Sequence, residues 1–220
     1  MSANETLPPT HRTLRKVAGA CGILAIIIAL SSIALAIFYA PVKFSIMQNW
    51  FSDLGGINYT EFAAFPRPEV ASPTTELFFN TGLAVAGVLG IVFALGLLSD
   101  AHSPAYRLGA VCMIPGAAAL AGVGLLPEPL GAVHDIVTAA FVIFSVAAMF
   151  VIGGSLVASS VKPLGGFSIV LGIVALAGLF DHITLIFHGR AFAESIFIGA
   201  IALWIMVFSI RMLRRVALRE

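Results

Sequence analysis

Three of the five histidines, His134, His182 and His188, occur with Asp135, Asp181 and Glu194 in the second half of the chain. Imidazole and carboxylate groups together form the ligand set of zinc and iron, and two or three histidines with one carboxylate suffice for a metal-dependent lipid hydrolase. The same groups can move protons when their surroundings set their acidities apart. His134, Asp181 and His188 are the candidate metal ligands, zinc being the metal this set suits, and all six residues are candidates for acid–base work. A second reading needs no chemistry: Asp135 and Glu194 favour helix N-termini, His188 and Arg190 sit at an interface, and Asp181 bonds a polar side chain across a bundle. A third makes Asp181 part of a path for a proton-coupled transporter. No HxxxH, HExxH or CxxC spacing occurs, nor a P-loop, dinucleotide fingerprint or Gly-x-Ser-x-Gly element. Cys21 and Cys112 read as buried small apolar residues.

The elements that must position these groups are built for lipid. Of 220 residues 60% are hydrophobic and 10% charged, with a mean hydropathy of +1.04, whereas a water-soluble domain carries about a quarter charged residues. A net charge of +1 leaves no basic surplus for nucleic acid. Crossing about 30 Å of hydrocarbon takes about 20 apolar residues, and six segments qualify: 17–40, 76–99, 105–127, 134–157, 163–187 and 192–213. Runs such as 22–30 lack the period-two alternation of membrane strands, and the first apolar run is too long for a signal peptide. The expected fold is therefore all-α: a six-helix transmembrane bundle over 17–213, with a tail at 1–16 and a basic tail at 214–220. In that bundle Asp181 lies roughly 10 Å inside the apolar layer at 1.5 Å per residue, where an ionisable group must be paired, protonated or hydrated.

Arg12, Arg15, Lys16, Arg107, Lys162, Arg211, Arg214, Arg215 and Arg219 fall on one side of these spans, and only Lys43, Arg67 and Arg190 on the other. The positive-inside rule then puts both termini in the cytoplasm of a multi-pass cell-membrane protein. Eight of the eleven carboxylates gather toward the outer end. The outer connection 41–75 holds four prolines and the aromatics Phe44, Trp50, Phe51, Tyr59, Phe62 and Phe65, which predicts a folded lid or a short interfacial helix. Asn58-Tyr-Thr60 in it is a glycosylation sequon. Ser72-Pro73 and Ser103-Pro104 predict capped helix starts, and Pro115 predicts a kink in the third span. Small residues at Gly82, Ala86, Gly87 and Gly90, and at Gly116 to Ala119, Ala121, Gly122 and Gly124, allow close backbone approach. They serve packing within the chain or a face for a second copy or a membrane-complex subunit.

Trp50-Phe-Ser-Asp-Leu-Gly55, followed by Pro73-Thr-Thr-Glu-Leu-Phe-Phe-Asn80-Thr-Gly82, resembles an uncharacterised archaeal and bacterial family of six-helix membrane proteins. In that family a Ser-Asp-Leu-Gly element follows the first helix and a Phe-Asn element opens the second. The resemblance implies Ser52, Asp53, Gly55 and Asn80 as site residues. More distantly, the Ser-Asp-x-Gly element resembles six-helix proteins of the Frag1, DRAM and Sfk1 kind, which implies a link to membrane lipids. A fainter resemblance to seven-helix membrane hydrolases such as alkaline ceramidases implies a metal held by Ser, Asp and His, but their terminal HxxxH is missing here. The leading expectation is binding of lipid or a partner at the outer face.

Overall fold

A computed structural model describes residues 9–184 and 189–217. Its helices are α1 (Pro9–Phe38), α2 (Tyr59–Ala64), α3 (Pro73–Ser99), α4 (Pro104–Leu125), α5 (Ala132–Val157), α6 (Lys162–Thr184) and α7 (Arg190–Ala217), with 3-10 turns at Ser52–Gly55 and Glu128–Leu130. All but α2 are long and apolar enough to cross a membrane, so the chain is an all-helical multi-pass membrane protein. The helix ends follow local chemistry. Ser72 accepts from Thr75 N while Thr75 Oγ1 accepts from Ser72 N, a reciprocal cap with Pro73 in the first turn. Ser103 Oγ accepts from Tyr106 N at 3.1 Å. Helix α4 runs through Pro115 and stops at Leu125, short of the expected 127, because the residue before Pro127 is driven out of the helical region. Helices α1 and α7 outrun their apolar segments, beginning at Pro9 and ending at Ala217, so both expected tails are partly helical.

The six long helices form a closed ring, α1 against α3, then α4, α5, α6 and α7, with α7 returning to α1. Water exclusion does not drive helices together in lipid, so contact depends on backbones coming close at small residues. Gly87 faces the backbone of Ala121, where an added Cβ would stand 2.2 Å from the Ala121 nitrogen. Gly178 lies against Ile196 and Phe197 of α7, where an added Cβ would stand 2.9 Å from the Phe197 nitrogen. Much of the small-residue pattern is thus spent on packing within the chain. Outward faces carry exposed Ile27, Val88, Ile143, Ile173 and Leu203, a surface suited only to lipid or a protein partner.

At the basic end, Asp100 accepts two cations: Arg15 Nη2 at 2.7 Å and Arg215 Nη1 at 2.9 Å. This ties α1, α3 and α7 together. Above it Phe93 packs edge to face on Trp204, with ring centroids 6.2 Å apart. The fully buried Trp204 donates its Nε1–H to Ser168 Oγ, which itself donates to Met149 O. The polar handle of the indole is satisfied without water.

Candidate functional site

The opposite end is covered by residues 39–72, a lid organised around one buried ion pair. Asp53 and Arg67 are 0% and 7% exposed. Arg67 Nε donates to both Asp53 oxygens at 2.9 Å, and Nη2 lies 2.7 Å from Asp53 Oδ1. Burying a charge pair is tolerable only if its remaining hydrogen-bonding capacity is filled. Asp53 Oδ2 accepts from Trp50 N and from Asn49 Nδ2, which also donates to Pro68 O at 2.8 Å. Arg67 Nη1 donates to Phe65 O, and Nη2 reaches Glu128 Oε1 at 2.9 Å and Glu61 Oε2 at 3.7 Å. Burial works against the Arg67 charge, but Asp53, Glu128 and Glu61 outweigh it and hold the guanidinium above its ordinary value.

The lid is pinned to two transmembrane helices. Asn80 Nδ2 of α3 donates to Gly55 O at 2.9 Å, and a Cβ on Gly55 would stand 2.5 Å from Asn80 Oδ1 and 2.8 Å from the Phe79 ring. The Ser-Asp-Leu-Gly and Phe-Asn elements therefore meet face to face, and glycine is required where they touch. At α7, Ala191 N donates to Asn49 O at 2.9 Å, Phe51 N donates to the buried Glu194 Oε2, and the Arg190 guanidinium lies 5.4 Å from the Trp50 ring. Asn58, the sequon residue, caps α2 by accepting from Thr60 N and Glu61 N. Tyr59 on that helix donates to Glu69 Oε1 at 3.0 Å, and this bond with the Glu69 charge raises its phenol above the ordinary value.

Under the lid lies a cavity of about 420 Å³, walled by all six long helices. Its depth is apolar, with Ala25, Ile26, Leu83, Met113 and Ile205 on the wall. Along α7 the lining runs from Glu194 to Ile205, roughly 16 Å of helix axis. The polar lining is confined to the lid end: Ser52, Glu61, Glu128, His134, Asp135, Thr138, His182 and Glu194. His134 Nδ1 lies 2.8 Å from Leu126 O. A carbonyl only accepts, so Nδ1 carries the hydrogen and Nε2 is left as an acceptor in the neutral ring. Buried Glu128 Oε2, Thr138 Oγ1 and His182 Nδ1 have no close hydrogen-bond partner among the described residues. His182 packs between Trp50, centroids 4.5 Å apart, and Phe197 at 5.9 Å. Burial and the Asp53 charge push the Glu128 carboxyl up to about 9, against the pull of the Ser52 hydroxyl and Arg67.

His134, Asp135, His182 and Glu194 thus stand on one cavity, contributed by α5, α6 and α7. Asp181 is buried on α6 but does not line it, and His188 lies outside the described residues. Among the described residues no three His, Cys, Asp or Glu side chains are placed to hold one metal ion. Of the residues named by resemblance, Asp53, Gly55 and Asn80 build the lid and its dock, while Ser52 lines the cavity. Asn49, Arg67 and Glu128 were not singled out as site residues from sequence. Arg67 carried a signal in being one of three basic residues among the outer carboxylates, flanked by Pro66 and Pro68.

No curated protein and no solved structure matches the chain. A family model described as a protein of unknown function, DUF998, matches residues 23–211, from the middle of α1 through most of α7, and the chain belongs to that family.

Proposed function

We propose that this membrane protein binds a single lipid-class amphiphile, its chain in the apolar shaft of the bundle and its head group under the lid. The observation that carries this reading is the segregation of the cavity: apolar along its depth, with the polar side chains collected at one end. A small polar solute would waste the shaft, and a plain hydrocarbon would leave the buried polar groups at the lid unsatisfied. The distant resemblance to membrane proteins of the Frag1, DRAM and Sfk1 kind supports a lipid ligand. The split of basic residues supports a lid at the outer face of the cell membrane, and with it an amphiphile drawn from the outer leaflet.

The test is purification in a mild non-ionic detergent followed by native mass spectrometry and extraction of retained lipid. Wild-type protein is expected to carry about one amphiphile per chain. Ala139→Trp, which fills the cavity from α5, is expected to lose it while keeping its helical spectrum. Equal retention by both proteins, or none by wild type even after a long-chain amphiphile is added, would overturn the reading.

A further inference from the structure

We infer that the head group under the lid is an amine: the ligand is a long-chain amphiphile carrying a protonated nitrogen, held by Glu128 and Glu194 with His134 as a further acceptor. This rests on the reading of the cavity as an amphiphile site and adds the chemistry of its polar end. Of the groups that line this end, Glu61, Glu128, Asp135 and Glu194 are carboxylates, and no Lys or Arg lines it. Arg67 is the basic residue buried nearby, and it is already bidentate on Asp53. Arg190, the other guanidinium at this end, lies against the Trp50 ring and not on the cavity wall, so a phosphate or sulfate would find carboxyl groups and no lining cation to receive it.

Two buried groups support a donor specifically. Glu128 is 4% exposed and lines the cavity; Arg67 holds Oε1, and among the described residues nothing makes a close hydrogen bond to Oε2, although the Ser52 hydroxyl draws on the carboxyl. His134, also 4% exposed, is fixed by Leu126 O so that Nε2 is an acceptor. An ammonium offers up to three donors and a positive charge, which is what this set lacks. Trp50, Phe51 and Phe197 on the same wall add aromatic faces of the kind that attract a cation.

Binding is coupled to proton release. The charged and titratable groups at this end are Asp53, Glu61 and Arg67 of the lid, His134 and Asp135 of α5, Asp181 and His182 of α6, and Arg190 and Glu194 of α7. With Asp53 already occupying Arg67, an empty site keeps a proton on Glu128 at neutral pH. An alkylammonium, whose own value is about 10.4, stays charged and displaces that proton. Affinity therefore rises as pH rises toward 9.

The experiment is displacement of a neutral fluorescent fatty alcohol from the full-length protein in maltoside detergent, with Ala139→Trp as the background for micelle partition. The competitors are dodecylamine, dodecanol and dodecyl sulfate. Dodecylamine is expected to compete at concentrations at least about tenfold below the other two, with affinity tightening by up to about tenfold per pH unit between pH 6 and 8.5. Glu128→Gln is expected to weaken the pH dependence, the buried Glu194 carboxyl remaining, and Glu194→Gln to reduce the preference for the amine. If dodecanol or dodecyl sulfate competes as well as dodecylamine, the amine inference falls while the amphiphile site stands. If the fluorescent alcohol binds wild type no better than Ala139→Trp, both fall.

Discussion

Removing the Arg67 guanidinium would leave Asp53 buried in the lid with no counter-charge, and breaking a buried ion pair from one side costs about 3–5 kcal/mol. Arg67→Met is therefore expected to lower the unfolding midpoint in detergent sharply. Arg67→Lys should recover only part of the loss, since an ammonium cannot replace the fork that reaches Asp53 and Glu128 together. Glu128 makes a pH-dependent contribution whose sign follows from its raised value. The folded protein holds the Glu128 proton where the unfolded chain has released it, so the stabilisation is complete below pH 4.5 and is lost as pH rises toward about 9. Thermal unfolding of ligand-free protein across that window should show a decline that Glu128→Gln flattens. Asp53 was legible in its Ser-Asp-Leu-Gly element, but its partner lies 14 residues away beyond α2. Only the fold of the loop decides which of the outer carboxylates Arg67 meets.

Between elements, the ring depends on how near two helix backbones can come. Gly87 and Ala121 allow α3 and α4 to touch, and a larger side chain at 87 must push them apart because the atoms it meets belong to the Ala121 backbone. Gly87→Leu is expected to destabilise the protein by about 1–3 kcal/mol. Gly154 on α5 has nothing within 4 Å of an added Cβ, so Gly154→Ala should be neutral or gain up to about 1 kcal/mol of helix propensity. Guanidinium titration in detergent separates the two outcomes. The helices themselves were legible because an apolar run of membrane length admits few other solutions, and Ser72 and Ser103 marked two starts. Their ends were less so: α1 and α7 continue through Arg12 to Lys16 and Arg211 to Arg215, where composition turns polar but the backbone has no reason to leave the helix. The lid was legible as aromatic and proline-rich, yet its dock on Asn80 and Asn49 is a long-range pairing that no local pattern records.

At the scale of the molecule, a closed ring of six helices leaves its axis to be filled, and small residues such as Ala25, Ala86, Gly90 and Ala117 on the inner wall leave it open at the lid end. That cavity was not legible in the sequence, since each helix contributes only a few residues and small residues read equally as packing. Its direction follows from the two ends. Asp100 with Arg15 and Arg215 closes one end beneath Phe93 and Trp204, while the carboxylates and Arg67 lie at the other. The positive-inside rule weighs Lys and Arg near span ends, and on that expectation the Asp100 clamp faces the cytoplasm and the lid the outside. In a background without Cys21 and Cys112, a cysteine at exposed Thr60 should react with a membrane-impermeant maleimide on intact cells, and one at Ser160 only after permeabilisation. The reverse pattern would put the lid in the cytoplasm and turn the site toward the inner leaflet. An amphiphile would then have to come from the cytoplasmic side, since the polar end of the cavity would face it.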